Sequence, residues 1–394
     1  MQVQSQKEFS NVYLFVSDAL RYDSVPDVVA NNNQVIKTVS SSGVSCAAFS
    51  TLITGLYPPQ HGVWTFSDLI PDSVTTLYDL FPGNCPSHLV VTSVVESRDN
   101  AIQYDDTRNF ESALKSVQEP FFVIDRELAT HAAYGQVGGT QVSDQRFETT
   151  DDYWQTRGGD LSAIREDYAR GVEVSSKKFK ERLSILRDRD ILDDTLVVFT
   201  ADHGEALGEH GMVGHTNVPL APEVAYVPTV FYNEEVTVNG DFMGHVDMLP
   251  TIASLVDHSV DGNYPGYDLT EGAPDDRMVF NADKRRGGHV YSAWDQYGGI
   301  TFSSVNYYLR FARAFERLTA NNRAQMHRQR VKTIATLPFQ QSQTFGIPRF
   351  DRQSAEKFCQ GVFESSIESN SQRLNKDVKQ RLEALGYSEE DISD

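Results

Sequence analysis

The sequence predicts an α/β protein: a mostly parallel central sheet flanked by helices, followed by a smaller C-terminal antiparallel subdomain. The first observation is a set of short apolar runs, Val12–Val16, Leu89–Val95, Phe121–Ile124, Leu196–Thr200 and Val227–Tyr232. These runs are apolar on both faces, as strands covered by helices on each side must be. The second is a helical pattern over Ile164–Arg189, with Val172, Phe179, Leu183 and Leu186 on one face and charged residues on the other. Asp193 and Asp194 then turn the chain into the Leu196 run, so strand and helix alternate. The third is the loss of this alternation after about Asp268. There Met278–Phe311, rich in Gly, Tyr and β-branched residues, reads as a small antiparallel sheet. Asn375–Leu385 reads as an amphipathic tail helix stopped by Gly386. The polar stretch Gln136–Gly159 reads as a loop or insertion.

A chain of 394 residues exceeds what a single core usually spans. The reading is a catalytic domain over residues 1–270 and a smaller subdomain over 271–394 that includes the tail helix. At 40% hydrophobic residues the chain can bury a sizeable core. Its 55 acidic residues outnumber 35 basic ones, for a formal net charge of −20. Such a field excludes attraction to nucleic acid or an anionic bilayer. It also repels anionic substrates at long range, so an anionic ester would need local positive charge, with a bound metal ion as its obvious source. The acid excess equally suits a salty cytoplasm. Cys46, Cys85 and Cys359 are too few and too scattered for a disulfide framework or a Cys-based zinc site. The polar Met1–Ser10 segment lacks a signal core and no apolar run is long enough to span a membrane, so a cytoplasmic location is expected. The sequence sets no oligomeric state.

Three segments carry chemistry. Asp18 ends the first apolar run, where a carboxylate serves either as a metal ligand or as a helix N-cap. Ser40–Gly55 is a Ser-rich turn entering an apolar helix. Its hydroxyls lie where a helix N-terminus favours an anion, or where a serine simply caps the helix. Thr200–His215 places Asp202 and His203 at a strand end, directly before Gly204, with His210 and His215 close behind. Two adjacent ligand-type side chains beside a glycine that lets the backbone turn sharply suit a metal site.

Together these segments resemble the sulfatase branch of the alkaline phosphatase superfamily. The likeness rests on Asp18, on Ser45 ahead of Leu52-Ile53-Thr54-Gly55, and on Thr200-Ala201-Asp202-His203-Gly204-Glu205. It extends to Tyr57-Pro58-Pro59-Gln60-His61-Gly62, Val227-Pro228, Asp247-Met248-Leu249-Pro250 and Leu385-Gly386-Tyr387. The resemblance implies an alkaline-phosphatase-like fold and a divalent metal ion held by Asp18, Asp202, His203 and the nucleophile Ser45. It places His215, and more loosely His131, on the substrate side as catalytic residues. It implies no organic cofactor, and a small-molecule or glycan sulfate or phosphate ester as substrate.

The departures from the pattern shape the chemistry. Sulfatases carry C/S-x-P-S-R, whose first residue is oxidised to formylglycine. Here the window is Ser45-Cys46-Ala47-Ala48-Phe49, without the Pro, the Ser or the Arg. Cys46 is one place out of register. A plain serine suits phosphoryl transfer well, whereas formylglycine exists to let a sulfated intermediate collapse. Ala19 replaces a second Asp, which turns the site from Ca²⁺ towards Mn²⁺ or Zn²⁺. A second metal would have to come from His215 or His245 with Asp125. The leading expectation is a sulfatase-like ester hydrolase. The alternatives are a phosphodiesterase or phosphotransferase acting on a phosphorylated metabolite or glycan, and a non-catalytic relative that binds an anionic glycan.

Overall fold

The fold is taken from a computed structural model of the chain, which describes residues 1–30, 34–90, 98–134, 147, 149–157, 159–211, 213–215, 220–310, 342–367, 370–371, 374, 376–387 and 392. Among the described residues, eight strands form the central sheet: β1 (Asn11–Ser17), β2 (Ile36–Val39), β3 (Cys85–His88), β4 (Ala101–Tyr104), β5 (Phe122–Glu127), β6 (Thr195–Thr200), β7 (Tyr226–Phe231) and β8 (Phe242–Gly244). Their spatial order is β8-β2-β7-β6-β1-β5-β3-β4. All neighbours are parallel except β7, which runs antiparallel to both β2 and β6. The sheet is therefore mixed but mostly parallel, as expected.

Both faces of the sheet are covered. Val12, Leu14 and Val16 of β1 pack on one side with Cys46, Phe49, Leu52 and Ile53 of α1 (Ser45–Thr54). Tyr13 and Phe15 face the other side. There they meet α2 (Thr107–Ser116) and the 28-residue helix α4 (Leu161–Asp188). The Phe15 ring stands 5.2 Å from Phe179 and 5.4 Å from Phe199. Each such buried ring contributes about 1.5–3 kcal/mol of hydrophobic stabilisation. Asp160 starts α4 by accepting hydrogen bonds from the Ser162 and Ala163 amides.

Two predicted elements differ. The strand expected at Leu89–Val95 is β3, which ends at His88; Leu89 takes a left-handed φ of 53° that breaks the ladder, and residues 91–97 lie outside the described residues. The expected loop 136–159 contains α3 (Thr150–Arg157), whose Tyr153 and Trp154 are buried. Residues 135–146, 148 and 158 lie outside the described set.

The C-terminal sheet is present. β9 (Val279–Arg285), β10 (Gly288–Asp295), β11 (Gly298–Ser303) and β12 (Ser342–Gly346) pair antiparallel in sequence order, backed by α6 (Arg352–Glu364). α5 (Met248–Leu255) packs back on α1. The tail helix α7 (Lys376–Ala384) does not stay with the C-terminal sheet. Leu382, Leu385, Tyr387 and Ile392 join the core beneath β1 and α1. Gly386 closes α7 at φ 90°, and the Tyr387 amide donates back to the Leu382 carbonyl. Among the described residues, no helix is long and apolar enough to cross a membrane.

Candidate active site and metal centre

The three central parallel strands end side by side, and the site lies at their C-terminal ends. Val16 pairs with Thr200 on one side and with Arg126 on the other. Asp18 follows β1, Asp202 and His203 follow β6, and Arg126 is the penultimate residue of β5. Asp18, Asp202 and His203 each offer one ligand atom within 4.8 Å of the others, and all are fully buried.

Their hydrogen bonds determine which atoms remain to bind a cation. Asp202 Oδ1 accepts from the Ala19 and His203 amides, at 3.1 and 2.9 Å. Asp18 Oδ2 accepts from Arg126 Nε at 2.6 Å. The other oxygens, Asp18 Oδ1 and Asp202 Oδ2, are buried and lack a hydrogen-bond partner. Two orphaned carboxylate oxygens in one buried site are costly unless a cation meets them. His203 Nδ1 lies 3.0 Å from the Gly204 carbonyl, so it carries the proton and Nε2 presents its lone pair. Nε2 stands 3.9 Å from Asp18 Oδ1 and 3.5 Å from Asp202 Oδ2. Two oxygens and one imidazole nitrogen at this spacing fit a divalent ion. Although burial pushes the Asp18 carboxyl up, Arg126, His131 and His203 together hold it below the usual carboxylate range.

Ser45 is the first residue of α1. Val44 occupies the cap position without a side-chain bond, so the serine hydroxyl does not cap the helix. It lies 3.2 Å from His203 Nε2, 2.8 Å from the Tyr387 hydroxyl and 3.2 Å from Arg126 Nη2. Cys46, the next residue, turns into the apolar core.

The predicted histidines separate. His215 and His131 reach the site: the His215 ring is 4.1 Å from His203 and 5.0 Å from His131. A short bridge, Val213–Gly214 against Ala206–Leu207, carries His215 alongside Glu205, whose Oε2 is 2.6 Å from His215 Nδ1. Tyr134 donates to the other oxygen at 2.9 Å. Burial pushes the Glu205 carboxyl well up despite that bond. His131 Nδ1 contacts the Ala132 carbonyl at 2.7 Å, while its buried Nε2 has no partner. Burial pushes His131 down.

His131 is positioned from behind by α4. Gly171 sits mid-helix, where a Cβ would come within 2.2 Å of the Ala129 carbonyl. Ser175 then bonds Ser17, and Ser17 bonds Thr130, at 2.7 and 2.9 Å. These small residues let the helix press the turn before His131 onto the end of β1.

Gly204 serves by leaving room: a Cβ there would lie 2.1 Å from the Glu223 carbonyl, and its φ is not positive. One expectation is corrected, the second metal site. Asp125 cannot build a second metal site, because its oxygens are taken by His88 at 2.6 Å, Tyr13 at 2.7 Å and Arg182 at 3.0 Å. His245 bonds the Ala201 carbonyl and is pushed down to about 3 by burial. Among the described residues, Asp18, Asp202 and His203 form the one cluster of this kind.

Sequence reasoning missed Arg126, Tyr387 and Glu205 as site members. The available signal for Arg126 was Asp125-Arg126-Glu127, three consecutive charges closing an apolar run. All three are at most 6% exposed.

A mostly parallel sheet presenting carboxylates, an imidazole and a hydroxyl at its strand ends is the architecture of an ester hydrolase. The Sulfatase family model matches residues 82–258. The low-salt glycan biosynthesis sulfotransferase Agl7 of Haloferax volcanii is 30% identical over 407 residues, covering 96% of each chain. Human iduronate 2-sulfatase is 37% identical over 70 residues, 18% of this chain and 12% of that protein. The phosphonate monoester hydrolase of Agrobacterium radiobacter superposes with a TM-score of 0.55 at 16% identity, over 75% of this chain and 87% of its own. A 2-O GAG sulfatase gives 0.58 at 14% identity, over 75% and 83%. At those identities the structural likeness speaks for the fold alone. The chain belongs to the sulfatase family, within the alkaline phosphatase superfamily.

Proposed function

We propose that the chain is a metal-dependent hydrolase of sulfate esters or related phosphate esters with Ser45 as nucleophile. The observation that carries this is the meeting of Asp18 Oδ1, Asp202 Oδ2 and His203 Nε2 beside the Ser45 hydroxyl. A bound Mn²⁺ or Zn²⁺ supplies Lewis-acid stabilisation of negative charge on oxygen. Asp18, Asp202 and His203, with the Ser45 oxygen beside them, would hold it. Residues 1–270 form the catalytic unit and 271–394 the smaller C-terminal part, with its tail reaching back to the site.

Ser45 Oγ, its proton released to solvent, attacks sulfur or phosphorus in line, and the bond to the leaving oxygen breaks as the seryl ester forms. His215, held by Glu205, gives that oxygen its proton. His131 is less suited to this role, because burial keeps it neutral. Its bare Nε2 instead accepts a hydrogen bond from the substrate side. Water then attacks the seryl ester, giving one proton to His215, and the S–O or P–O bond to the seryl oxygen breaks; the inorganic anion leaves and Ser45 takes up a proton from solvent.

Charge selects among esters. The two carboxylate ligands would cancel the two charges of a divalent ion, and Arg126 adds one positive charge beside the nucleophile. That balance suits singly charged sulfate monoesters and phosphate diesters better than doubly charged phosphate monoesters. A glycan or small-molecule ester is the natural substrate class.

A second reading, transfer to an acceptor hydroxyl instead of water, is favoured by the Haloferax relative, which is named a sulfotransferase. A plain seryl sulfate also needs attack at sulfur to be cleared, and an alcohol can do this as well as water. The test is metal analysis of Ser45→Ala and the parent protein, with turnover on an aryl sulfate, a phosphate monoester and a phosphate diester. A metal-loaded Ser45→Ala protein that turns over like the parent removes the scheme, and a parent that binds no metal points to a non-catalytic glycan binder. Product analysis with added alcohol separates transfer from hydrolysis.

A further inference from the structure

The four residues after Ser45 bring no charge to it, and Phe49 stands where the sulfatase pattern carries arginine. A guanidinium nevertheless reaches the serine, from a distant strand. Arg126, 81 residues away at the end of β5, lies 3.2 Å from Ser45 Oγ through Nη2. Its Cζ sits 5.5 Å from the centre of the Phe49 ring. The side chain at the vacated position is thus a platform for the arginine that arrives from elsewhere, and such a face attracts a guanidinium.

The guanidinium is fixed along its edges. Nε donates to Asp18 Oδ2 at 2.6 Å, Nη1 to the Leu89 carbonyl at 3.4 Å, and Nη2, itself 2.5 Å from Asp18 Oδ2, to both Ser45 and the Tyr387 hydroxyl, each at 3.2 Å. It is 3% exposed. Pairing with Asp18 accounts for Nε and for the nearest contact of Nη2, 2.5 Å from the same carboxylate oxygen. The further reach of Nη2 to the serine oxygen, and to a tail tyrosine that also contacts it, is additional. The planar fork matters here: one group bridges a carboxylate and a hydroxyl in fixed geometry, which a lysine ammonium cannot do.

We propose that Arg126 is a catalytic residue that replaces, from the end of β5, the arginine missing after Ser45, holding the serine oxygen and the charge of the ester as the new bond forms. This rests on Ser45 being the nucleophile. The guanidinium stabilises the alkoxide before attack and the transferring group's oxygens during it. Asp18 couples it to the ligand cluster, because one oxygen of that carboxylate holds Arg126 and the other lies among the ligand atoms.

The test uses the metal-loaded full chain, with Arg126→Ala, Arg126→Lys and Ser45→Ala compared on an aryl sulfate. Arg126→Ala is expected to lower kcat by about 10²–10³, the usual cost of removing one donor aimed at developing charge. Guanidinium at tens of millimolar should restore at least about tenfold, since it refills the space the side chain vacates. Inorganic sulfate, followed by its shift of the thermal midpoint, should bind the variant at least about tenfold more weakly than the parent. Arg126→Lys keeps the charge without the fork and should fall between the two.

An Arg126→Ala protein with parent kcat, or one whose loss guanidinium does not relieve, overturns the proposal while an inactive Ser45→Ala keeps the nucleophile reading intact. An active Ser45→Ala ends both. Should Arg126→Ala fail to fold, Arg126→Lys decides alone: kcat within about twofold of the parent overturns the proposal, and a loss with unchanged metal content supports it.

Discussion

Replacing Tyr387 with phenylalanine isolates the contribution of the tail to the chemistry. The hydroxyl lies 2.8 Å from Ser45 Oγ and accepts from Arg126 at 3.2 Å. Because Arg126 donates to it, its own proton is directed to the serine oxygen. Burial pushes the phenol well above its ordinary value, so it stays protonated and able to donate. A hydrogen bond to a charged partner is worth about 1.5–3 kcal/mol. Lost from the alkoxide, that lowers kcat by about 10- to 150-fold.

Stability should change little. The ring keeps its edge contact with Phe66, 4.5 Å between centroids, and its place in the core. A neutral hydrogen bond contributes about 0.5–1.5 kcal/mol net, a thermal shift of only a few degrees for a chain of this size. The assay is steady-state hydrolysis of an aryl sulfate beside thermal unfolding. A kcat within about twofold of the parent, with the fold intact, refutes the reasoning. A large stability loss with kcat unchanged would make the tail a purely structural strap.

Two further perturbations probe the site and the core. Glu205→Gln replaces the carboxyl group 2.6 Å from His215 Nδ1, and kcat should fall about 10²-fold, most for esters with poor leaving groups; equal losses for good and poor leaving groups would take His215 out of the acid role. His61 is pushed down to about 3 from 6.5 by burial, with Nδ1 accepting from the Val63 amide. The unfolded chain therefore takes up a proton that the folded chain refuses between those values, and stability is lost as pH falls below about 6.5. Urea unfolding from pH 6.5 to 5 should show a loss of about 1.4 kcal/mol per unit for this group, reduced by that share in His61→Asn; a slope unchanged by the substitution would contradict it.

Much of the fold was legible because apolar runs report burial directly. β1, β6 and β7 fall within a residue of their runs, β5 continues three residues past its run, and α4 begins three residues before its predicted start. β3 was misplaced because Cys85-Pro86-Ser87-His88 is not apolar, yet it is buried and held by the neighbouring ladder. Local pattern cannot see that tertiary override. In the site, Asp18, Asp202, His203 and Ser45 were readable because each stands in a recognisable segment. Arg126 and Tyr387 were not, because their roles exist only after β5 is laid beside β1 and α7 folds back under α1. Glu205 was in plain view beside His203, but only the bridge that brings His215 to it shows what it holds.

The chain's overall charge and its site act in opposite senses on an anionic ester, and salt distinguishes their ranges. The net charge of −20 repels an approaching anion over the whole surface. The attractive charges, Arg126 and the proposed cation at Asp18, Asp202 and His203, belong to buried residues at the strand ends, and Arg126 is only 3% exposed. Salt shortens the reach of exposed charges to about 10 Å at 0.1 M and screens buried ones much less. Raising salt from low to physiological strength should therefore weaken the repulsion more than the attraction. For a singly charged aryl sulfate, kcat/KM should rise a few-fold while kcat stays constant, because the step that changes is capture and not bond breaking. A fall in kcat/KM over the same range would mean that the positive site already governs approach at long distance, and that the acidic surface has no part in choosing the substrate.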